Sequence, residues 1–432
     1  MRGDARTELT AEVVSSLAYA AALTLGVDGF VVGRDTRESG PVLAAAVRRG
    51  VTAAGGNCVD VGVVPTPAVA LWCAQHNVAG AMISASHNPW YDNGIKFFAA
   101  GGLKLSDAVQ ADIEARFDEV HSGGSVPVDS DAAVERADAA APHVDGVVSS
   151  IDGRSLAGLR VVVDAANGAA FEVASDALVR LGADVVLMHA SPDGRNINEQ
   201  CGSTHPESLQ AAVVAQNADL GVAFDGDADR LLGVDHRGAL IDGDEIIAIC
   251  ALDAHRRGQL TGDAVVVTVM TNLGFRRSMA SAGIEIVDVG VGDRYVLEAL
   301  DQRGLALGGE QSGHVIFRDL ATTGDGLLTA VQLLDVVVRT GSSLAELAAA
   351  SMSRLPQVLK NVRLASRRHD LDEVLAPLIN AAEMRLAGRG RVLIRASGTE
   401  PLVRVMVEAE TDAEAAMEAE ALVAAVQGLL GA

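Results

Sequence analysis

Apolar and polar positions follow one plan three times along this chain: a short β-branched run, a turn rich in Gly, Asn or Asp, an Ala-rich stretch, a glycine, and a second β-branched run. The first block opens with FVVGRDTRESG at residues 30–40, continues through VLAAAVRRGVTAAGG and closes with CVDVGVV at Val64. The second runs from LRVVVDAANGAA at residues 159–170 through FEVASDALVRLG to ADVVLM, ending at Met188. The third runs from AVVVTVMTNLG at residues 264–274 through FRRSMASAG to IEIVDVGVG, ending at Gly292. A strand that feeds a helix and then another strand builds parallel or mixed sheets covered by helices, with loops at the strand carboxyl ends open to ligands. Three similar α/β domains are therefore expected.

The last segment breaks this plan. From LPQVLKNVRLASRRHD (residues 355–370) onward, the strand-like runs LKNVRLA, RVLIRA and VRVMVEAE precede an Ala/Glu-rich helix starting at Asp412, an α+β pattern that suits a small domain. A polar stretch punctuated by Gly and Pro at residues 121–146 places a linker near Ala140, and the turn VDHRGALIDGDE at residues 234–245 separates the second block from the third. The expected domains are 1–140, 141–237 and 238–353, all α/β with mixed sheets, and a smaller α+β domain at 354–432.

Composition narrows the class of protein. The 432 residues suffice for about two to four domains, each burying its own core. With 34 basic against 57 acidic residues the net charge is −23, which repels nucleic acid and anionic membrane surfaces, so neither is an expected partner. Apolar residues at 49% and charged ones at 21% describe a folded chain. Cys58, Cys73, Cys201 and Cys250 are scattered without metal-ligand spacing and read as reduced thiols of a cytoplasmic protein. The first ten residues carry Arg2, Asp4, Arg6 and Glu8 without an apolar core, so no secretory signal is read there. The longest segment without Asp, Glu, Lys or Arg, residues 61–91, is broken by Pro65, Pro67, Gln75, His76 and Asn77 and predicts no membrane span.

Four motifs carry chemistry. In GAMISASHNPWYDNGIKFF (residues 80–98) an apolar strand breaks into a loop on which Pro89 fixes the exit and Asn88 is pushed to an extended conformation, so Ser86 is displayed on a rigid support and Lys96 follows. An ordinary Ser/Asn/Pro turn uses the same residues. In AFDGDADR (residues 223–230) Asp225, Asp227 and Asp229 alternate after an apolar strand, and carboxylates so spaced can converge on one hard cation. A calcium EF-hand is excluded because its sixth position would be Arg230 rather than Gly and its twelfth His236 rather than Glu. A solvated acidic turn is the weaker alternative, since three unneutralised carboxylates repel one another. In LGGEQSGHVIF (residues 307–317) Glu310, Ser312 and His314 share one face if the segment is extended, and suit sugar hydroxyls or an amino group. In RASGTEPLVRVMVE (residues 395–408) Ser397, Gly398 and Thr399 can form an anion nest, to which Arg395 and Arg404 add guanidinium forks.

Taken in order, ISASHNPWYDNGIKFF, AFDGDADR, VMTNLGF, VGDRYV, GGEQSGH, TTGDG and RASGTEPLVRVMVE resemble the α-D-phosphohexomutases over essentially the whole chain. Relatives acting on mannose and glucose phosphates usually read GEMSGH at the sugar loop and carry His where this chain has Asp293, so Gln311 and Asp293 favour the glucosamine branch. The resemblance implies four domains around a central cleft, each giving one loop. It makes Ser86 the phosphoserine, with Mg²⁺, one per chain, between Ser86 (through its phosphate) and Asp225, Asp227 and Asp229. Lys96 and Arg230 match positions beside the transferring phosphate, Lys96 as a candidate in proton transfer. Glu310, Ser312 and His314 would hold the sugar, and Arg395, Ser397, Gly398, Thr399 and Arg404 the phosphate that is not transferred. A small phosphosugar is the implied substrate, glucose- or glucosamine-1,6-bisphosphate the implied activator, and there is room for a homodimer.

Family members begin with a strand resembling FGTDGIRG, of which Arg2 and Gly3 are the last two residues here, so the opening strand is expected to be missing and Arg2 poorly anchored. Two other classes remain. A metal-dependent phosphosugar phosphatase would let water attack the phosphoserine and needs no second phosphate anchor. A non-catalytic phosphosugar-binding descendant would bind without turnover.

Overall fold

The computed structural model describes residues 1–26, 28–123, 134–364, 370–396 and 401–430. The chain divides into two compact units, Met1–Met270 with Ile284–Ala350, and Thr271–Gly283 with Ser351–Ala432.

The first unit holds three mixed sheets. In the first, the strands run in the order Arg2–Asp4, Asp92–Ala99, Ala79–Ile83, Gly29–Arg34, Asn57–Val63, Glu135–Arg136, with Leu103–Lys104 also pairing on Asp92–Ala99. The central strand Gly29–Arg34 reads as an unbroken apolar run because both its faces are covered. Phe30 and Val32 join the core formed with helices Ala11–Leu25 and Gly40–Ala53, whereas Val31 joins the core formed with helix Thr66–His76. The second sheet runs Leu240–Ile241, Leu231–Asp235, Leu220–Phe224, Arg160–Asp164, Asp184–Met188, and the third Glu285–Val289, Ala264–Thr268, Leu307–Gly309, Val315–Phe317.

One strand in each sheet has a parallel partner on one side and an antiparallel partner on the other: Ala79–Ile83, Leu220–Phe224 and Leu307–Gly309. Each runs directly into one of the motif loops, those of Ser86, Asp225 and Glu310 respectively. The point where a parallel sheet changes direction leaves its strand end uncovered by a crossover helix, which is where such folds present ligand loops.

The second unit is an antiparallel sheet, Gln357–Arg363, Leu402–Glu408, Arg391–Ala396, whose core residues include Leu375 and Ala382 of helix Leu371–Leu386 and Leu422 and Val426 of helix Asp412–Leu430. Helix Leu371–Leu386 was not expected, since it carries Pro377 in its interior. Helix Leu273–Ala282 also belongs to this unit: the Asn272 side chain and the Leu355 backbone exchange two hydrogen bonds of 3.0 Å, and the amide of Leu273 donates to Glu408 at 3.0 Å.

Helix Ala140–Ser149 begins at the boundary expected near Ala140, buries His143, Val144 and Val147 and pairs His143 with Asp325 at 2.7 Å. One local expectation is corrected. An opening strand is present as Arg2–Asp4, in register with residues 92–94, and the Met1 carbonyl accepts the amide of Ile95 at 3.0 Å, so the backbone of Arg2 is anchored by ladder hydrogen bonds. Among the described residues no single helix is long and apolar enough to cross a membrane; helices Gly326–Thr340 and Leu344–Ser351 pass such a test only as a pair bent by 96°. The four cysteines are free thiols, and burial pushes each up to about 12.

Candidate active site

The serine loop leaves strand Ala79–Ile83 and turns sharply at Ser86, whose φ of +52° lies in the left-handed region. Ser86 is buried, and its hydroxyl donates to Oδ2 of Asp225 at 2.5 Å. The Ser86 amide donates to the Ser84 hydroxyl at 2.9 Å, and the His87 ring lies 3.3 Å from the Ser86 hydroxyl. Gly226 is obligatory at this junction, because a Cβ there would stand 2.5 Å from the Ser86 carbonyl oxygen.

Asp225, Asp227 and Asp229 are buried, and one carboxylate oxygen from each lies within 4.8 Å of the others. Among the described residues, Oδ1 of Asp227 and Oδ1 of Asp229 are buried without a hydrogen-bond partner. Orphaned carboxylate oxygens converging on one point are the donor set of a hard divalent cation, so the residues fit Mg²⁺. The remaining oxygens are held in place: Thr66 donates its hydroxyl to Asp227 at 2.6 Å, and the amide of Arg230 donates to Asp225 at 3.2 Å.

The charges around this loop are unequal. Burial, then Asp227 and Asp229, push Asp225 well above the usual carboxylate range. Burial also acts to raise Asp229, but Lys96, His314 and Arg230 together hold it well below that range. The Lys96 ammonium lies 3.1 Å from Asp229 and 3.7 Å from Asp227, with its side chain 32% exposed. Burial works against its charge, yet Asp229, Asp227 and Asp293 outweigh it and keep Lys96 protonated. The Arg230 side chain is half-buried, its Nε lacks a hydrogen-bond partner, and its guanidinium lies 3.4 Å from the His87 ring.

The sugar-loop motif is not extended. Strands Leu307–Gly309 and Val315–Phe317 form a hairpin, and the amide of Glu310 bonds the carbonyl of His314 at 3.0 Å across the turn. The turn is tight because Gly313, at φ +91°, lies against the second sheet, where a Cβ would stand 2.2 Å from the Leu231 carbonyl. The common face expected from alternation therefore does not exist. His314 is buried, 3.6 Å from Asp229 and 3.7 Å from Asp293; Glu310 accepts the amide of Gly292 at 3.1 Å; Ser312 is exposed. Asp293 in turn pairs with Lys104. Burial opposes its charge, but Lys104, His314 and Lys96 keep Asp293 ionised far below the ordinary range. A cavity of about 690 Å³ has Arg2, Lys96, Lys104 and Asp293 in its wall.

In the second unit Arg395 and Arg404 stand directly opposite each other on strands Arg391–Ala396 and Leu402–Glu408. The Nε atoms of both are buried without a partner among the described residues, and burial, then Arg404, lower Arg395. Ser397, Gly398 and Thr399 lie outside the described residues.

Residues 1–123, 141–238, 242–355 and 359–425 match, in order, domains I, II and III and the C-terminal domain of the phosphoglucomutase/phosphomannomutase family. The phosphoglucosamine mutase of Frankia alni is 52% identical, with the alignment covering 100% of this chain and 98% of the relative. The chain belongs to the phosphohexomutase family. The phosphoglucosamine mutase of Symbiobacterium thermophilum is 51% identical over 94% of this chain and 93% of its own. A phosphoglucomutase/phosphomannomutase family protein of Burkholderia thailandensis superimposes with a TM-score of 0.83 at 28% identity, over 99% of this chain and 96% of that one.

For a phosphohexomutase this site has more fixed parts than its motifs announce. Thr66, Lys104, Arg37 and Asn198 escaped the sequence reading. Arg37 carried a signal, since GRDTRESG puts an Asp-x-Arg pair just past a strand end, in the same place as the other motif loops. Asn198 carried none, because its partners lie more than a hundred residues away.

Proposed function

We propose that this phosphohexomutase interconverts glucosamine 6-phosphate and glucosamine 1-phosphate through a phosphoserine at Ser86 and a bisphosphorylated sugar. The observation that carries the reading is the hydrogen bond of Ser86 to Asp225 beside two orphaned carboxylate oxygens: the hydroxyl that takes and gives the phosphoryl group already sits against the cation's ligands. The curated relatives that match the chain end to end bear the name phosphoglucosamine mutase, which supports the choice of sugar.

Asp225, Asp227 and Asp229, with the phosphate on Ser86, would hold one Mg²⁺, which when bound offsets charge on the phosphoryl group in transit. Lys96, kept protonated by its carboxylate neighbours, supplies a cation and a proton beside the sugar hydroxyl that changes partners. Arg230, whose guanidinium lies beside Asp229 and His87, would donate to the phosphoryl oxygens. Glu310, His314 and Ser312 take the sugar, and Asp293 beside His314 offers a carboxylate to an amino group. Arg395 and Arg404, with Ser397, Gly398 and Thr399, anchor the phosphate that stays. Glucose- or glucosamine-1,6-bisphosphate would prime Ser86. The net charge of −23 disfavours nucleic acid and membranes as partners, and the reading places the enzyme in the cytoplasm.

A phosphatase is the competing chemistry, and the facing arginines argue against it, because a hydrolase needs no second anchor. The test is a coupled assay with Mg²⁺ and a trace of glucose 1,6-bisphosphate on glucosamine, glucose and mannose 6-phosphates. Glucosamine 1-phosphate should form fastest; inorganic phosphate as the main product would give the phosphatase, and faster glucose or mannose turnover would move the chain to the other branch.

A further inference from the structure

Among the described residues the largest fully buried side chain belongs to Arg37, 1% exposed, in the loop between strand Gly29–Arg34 and helix Gly40–Ala53. A buried guanidinium is costly unless each of its donors is used. Here it pairs with the buried Asp35, and its NH2 group donates to the carbonyl of Ser86 at 3.1 Å and to that of Asn88 at 2.6 Å. From the second sheet's side, Nδ2 of Asn198 donates to the same two carbonyls, at 2.9 Å to Ser86 and 3.1 Å to Asn88. Two side chains, one from each domain, thus grip the same pair of oxygens on either side of His87.

Neither side chain touches the Ser86 hydroxyl, so neither is a catalytic residue. Both hold a backbone that would otherwise relax: Ser86 sits at φ +52°, a strained conformation that persists only where the surroundings over-determine it. Asn198 is itself left-handed at φ +58°, and its amide is fixed in turn by the Ala166 carbonyl at 2.9 Å. The Ser86 hydroxyl is thereby aimed at Asp225 by a cross-domain clamp that adds to the hydrogen bonds within its own loop.

We propose that Arg37 and Asn198 are positioning residues that fix the serine loop for phosphoryl transfer, so that loosening the clamp slows transfer from Ser86 while leaving sugar-phosphate binding intact. The inference rests on Ser86 being the phosphoryl carrier. In-line transfer depends on alignment, and a misplacement of about 1 Å can cost about 100-fold in rate.

The test uses the full chain, labelled with phosphate on Ser86 from glucose 1,6-bisphosphate, and follows transfer of the label to glucosamine 6-phosphate in a single turnover. Asn198→Gly keeps the left-handed backbone and removes only the amide; Asn198→Asp keeps the shape and turns a carboxylate on the two carbonyls. Expected are a fall in transfer rate and kcat of about 10-fold or more for Asn198→Gly, a larger fall for Asn198→Asp, and KM within about twofold of wild type. Arg37→Lys, which keeps the charge beside Asp35, should slow transfer as well. A wild-type transfer rate in Asn198→Gly would overturn the clamp, as would a loss confined to KM. If the wild-type chain never labels Ser86, the phosphoserine reading falls and takes the clamp with it, a result distinct from wild-type transfer in the variants.

Discussion

The Asp225 to Asp229 loop and the Arg395/Arg404 pair both concentrate like charge, yet they are held in opposite ways. The carboxylates are compensated where they stand, by Lys96 at 3.1 Å, His314 at 3.6 Å and the Arg230 amide at 3.2 Å, and among the described residues two of their oxygens have no hydrogen-bond partner. The arginines face each other across two strands with their Nε atoms buried and unpartnered among the described residues. Like charges opposed on a sheet destabilise it. The first arrangement has its charges met within the fold; the second leaves donors free for an anion. The proposed mutase chemistry uses both, with the transferring phosphate at the fixed loop and the other phosphate at the arginines.

The contrast breaks most severely at its fixed end. Ser86→Ala or Asp227→Asn should lower kcat by at least about a thousandfold, the scale lost when a phosphoryl-transfer charge partner is removed. Thermal unfolding of the variants should remain cooperative, and retained turnover in either would place the chemistry elsewhere. At the adaptable end, Arg404→Ala should raise KM for the sugar phosphate by roughly 10- to 100-fold through loss of charge-assisted hydrogen bonds, with a smaller change in kcat, as steady-state kinetics will show. An unchanged KM would remove Arg404 from substrate binding.

Metal and pH sharpen the comparison further. Asp225 is raised in the folded chain, so the stability it contributes is present while it is protonated, below the ordinary carboxylate range, and is lost as pH rises through its raised value. Asp229 has the opposite sign: its depressed value contributes stability above the ordinary range, lost only as pH falls through that value. A bound cation would relieve Asp225 and leave Asp229 satisfied. The rise in Tm caused by Mg²⁺ should therefore grow as pH rises above the ordinary carboxylate range, as differential scanning fluorimetry with and without chelator will read. A shift independent of pH would argue against a site made of these carboxylates. The smallest effect belongs again to the arginines: without ligand, Arg404→Ala should cost no stability and gain up to about 0.5 kcal/mol, measured by chemical denaturation.

What could be read from the sequence followed the range of each interaction. Ser86 was legible because Asn88 and Pro89 stiffen its loop locally, and the aspartates because alternation after an apolar strand is a local pattern. The paired units were legible for the same reason, down to the strands at Gly29–Arg34, Arg160–Asp164 and Ala264–Thr268. The conformation of the Glu310 motif could not be read locally, because what folds it into a turn is the approach of Gly313 to Leu231, a contact between sheets. Lys104 meets Asp293 across 189 residues and Asn198 meets Ser86 across 112, and no local period encodes such pairs. Helix Leu371–Leu386 was hidden by its internal Pro377.

The central claim is that Ser86 carries the phosphoryl group. Mass spectrometry of the chain after incubation with glucose 1,6-bisphosphate and Mg²⁺ should find one added phosphoryl group on Ser86, which passes to glucosamine 6-phosphate to give the 1,6-bisphosphate and is restored to Ser86 each time glucosamine 1-phosphate is released. Turnover to glucosamine 1-phosphate with Ser86 unmodified throughout, or with the phosphoryl group on another residue, would contradict the account.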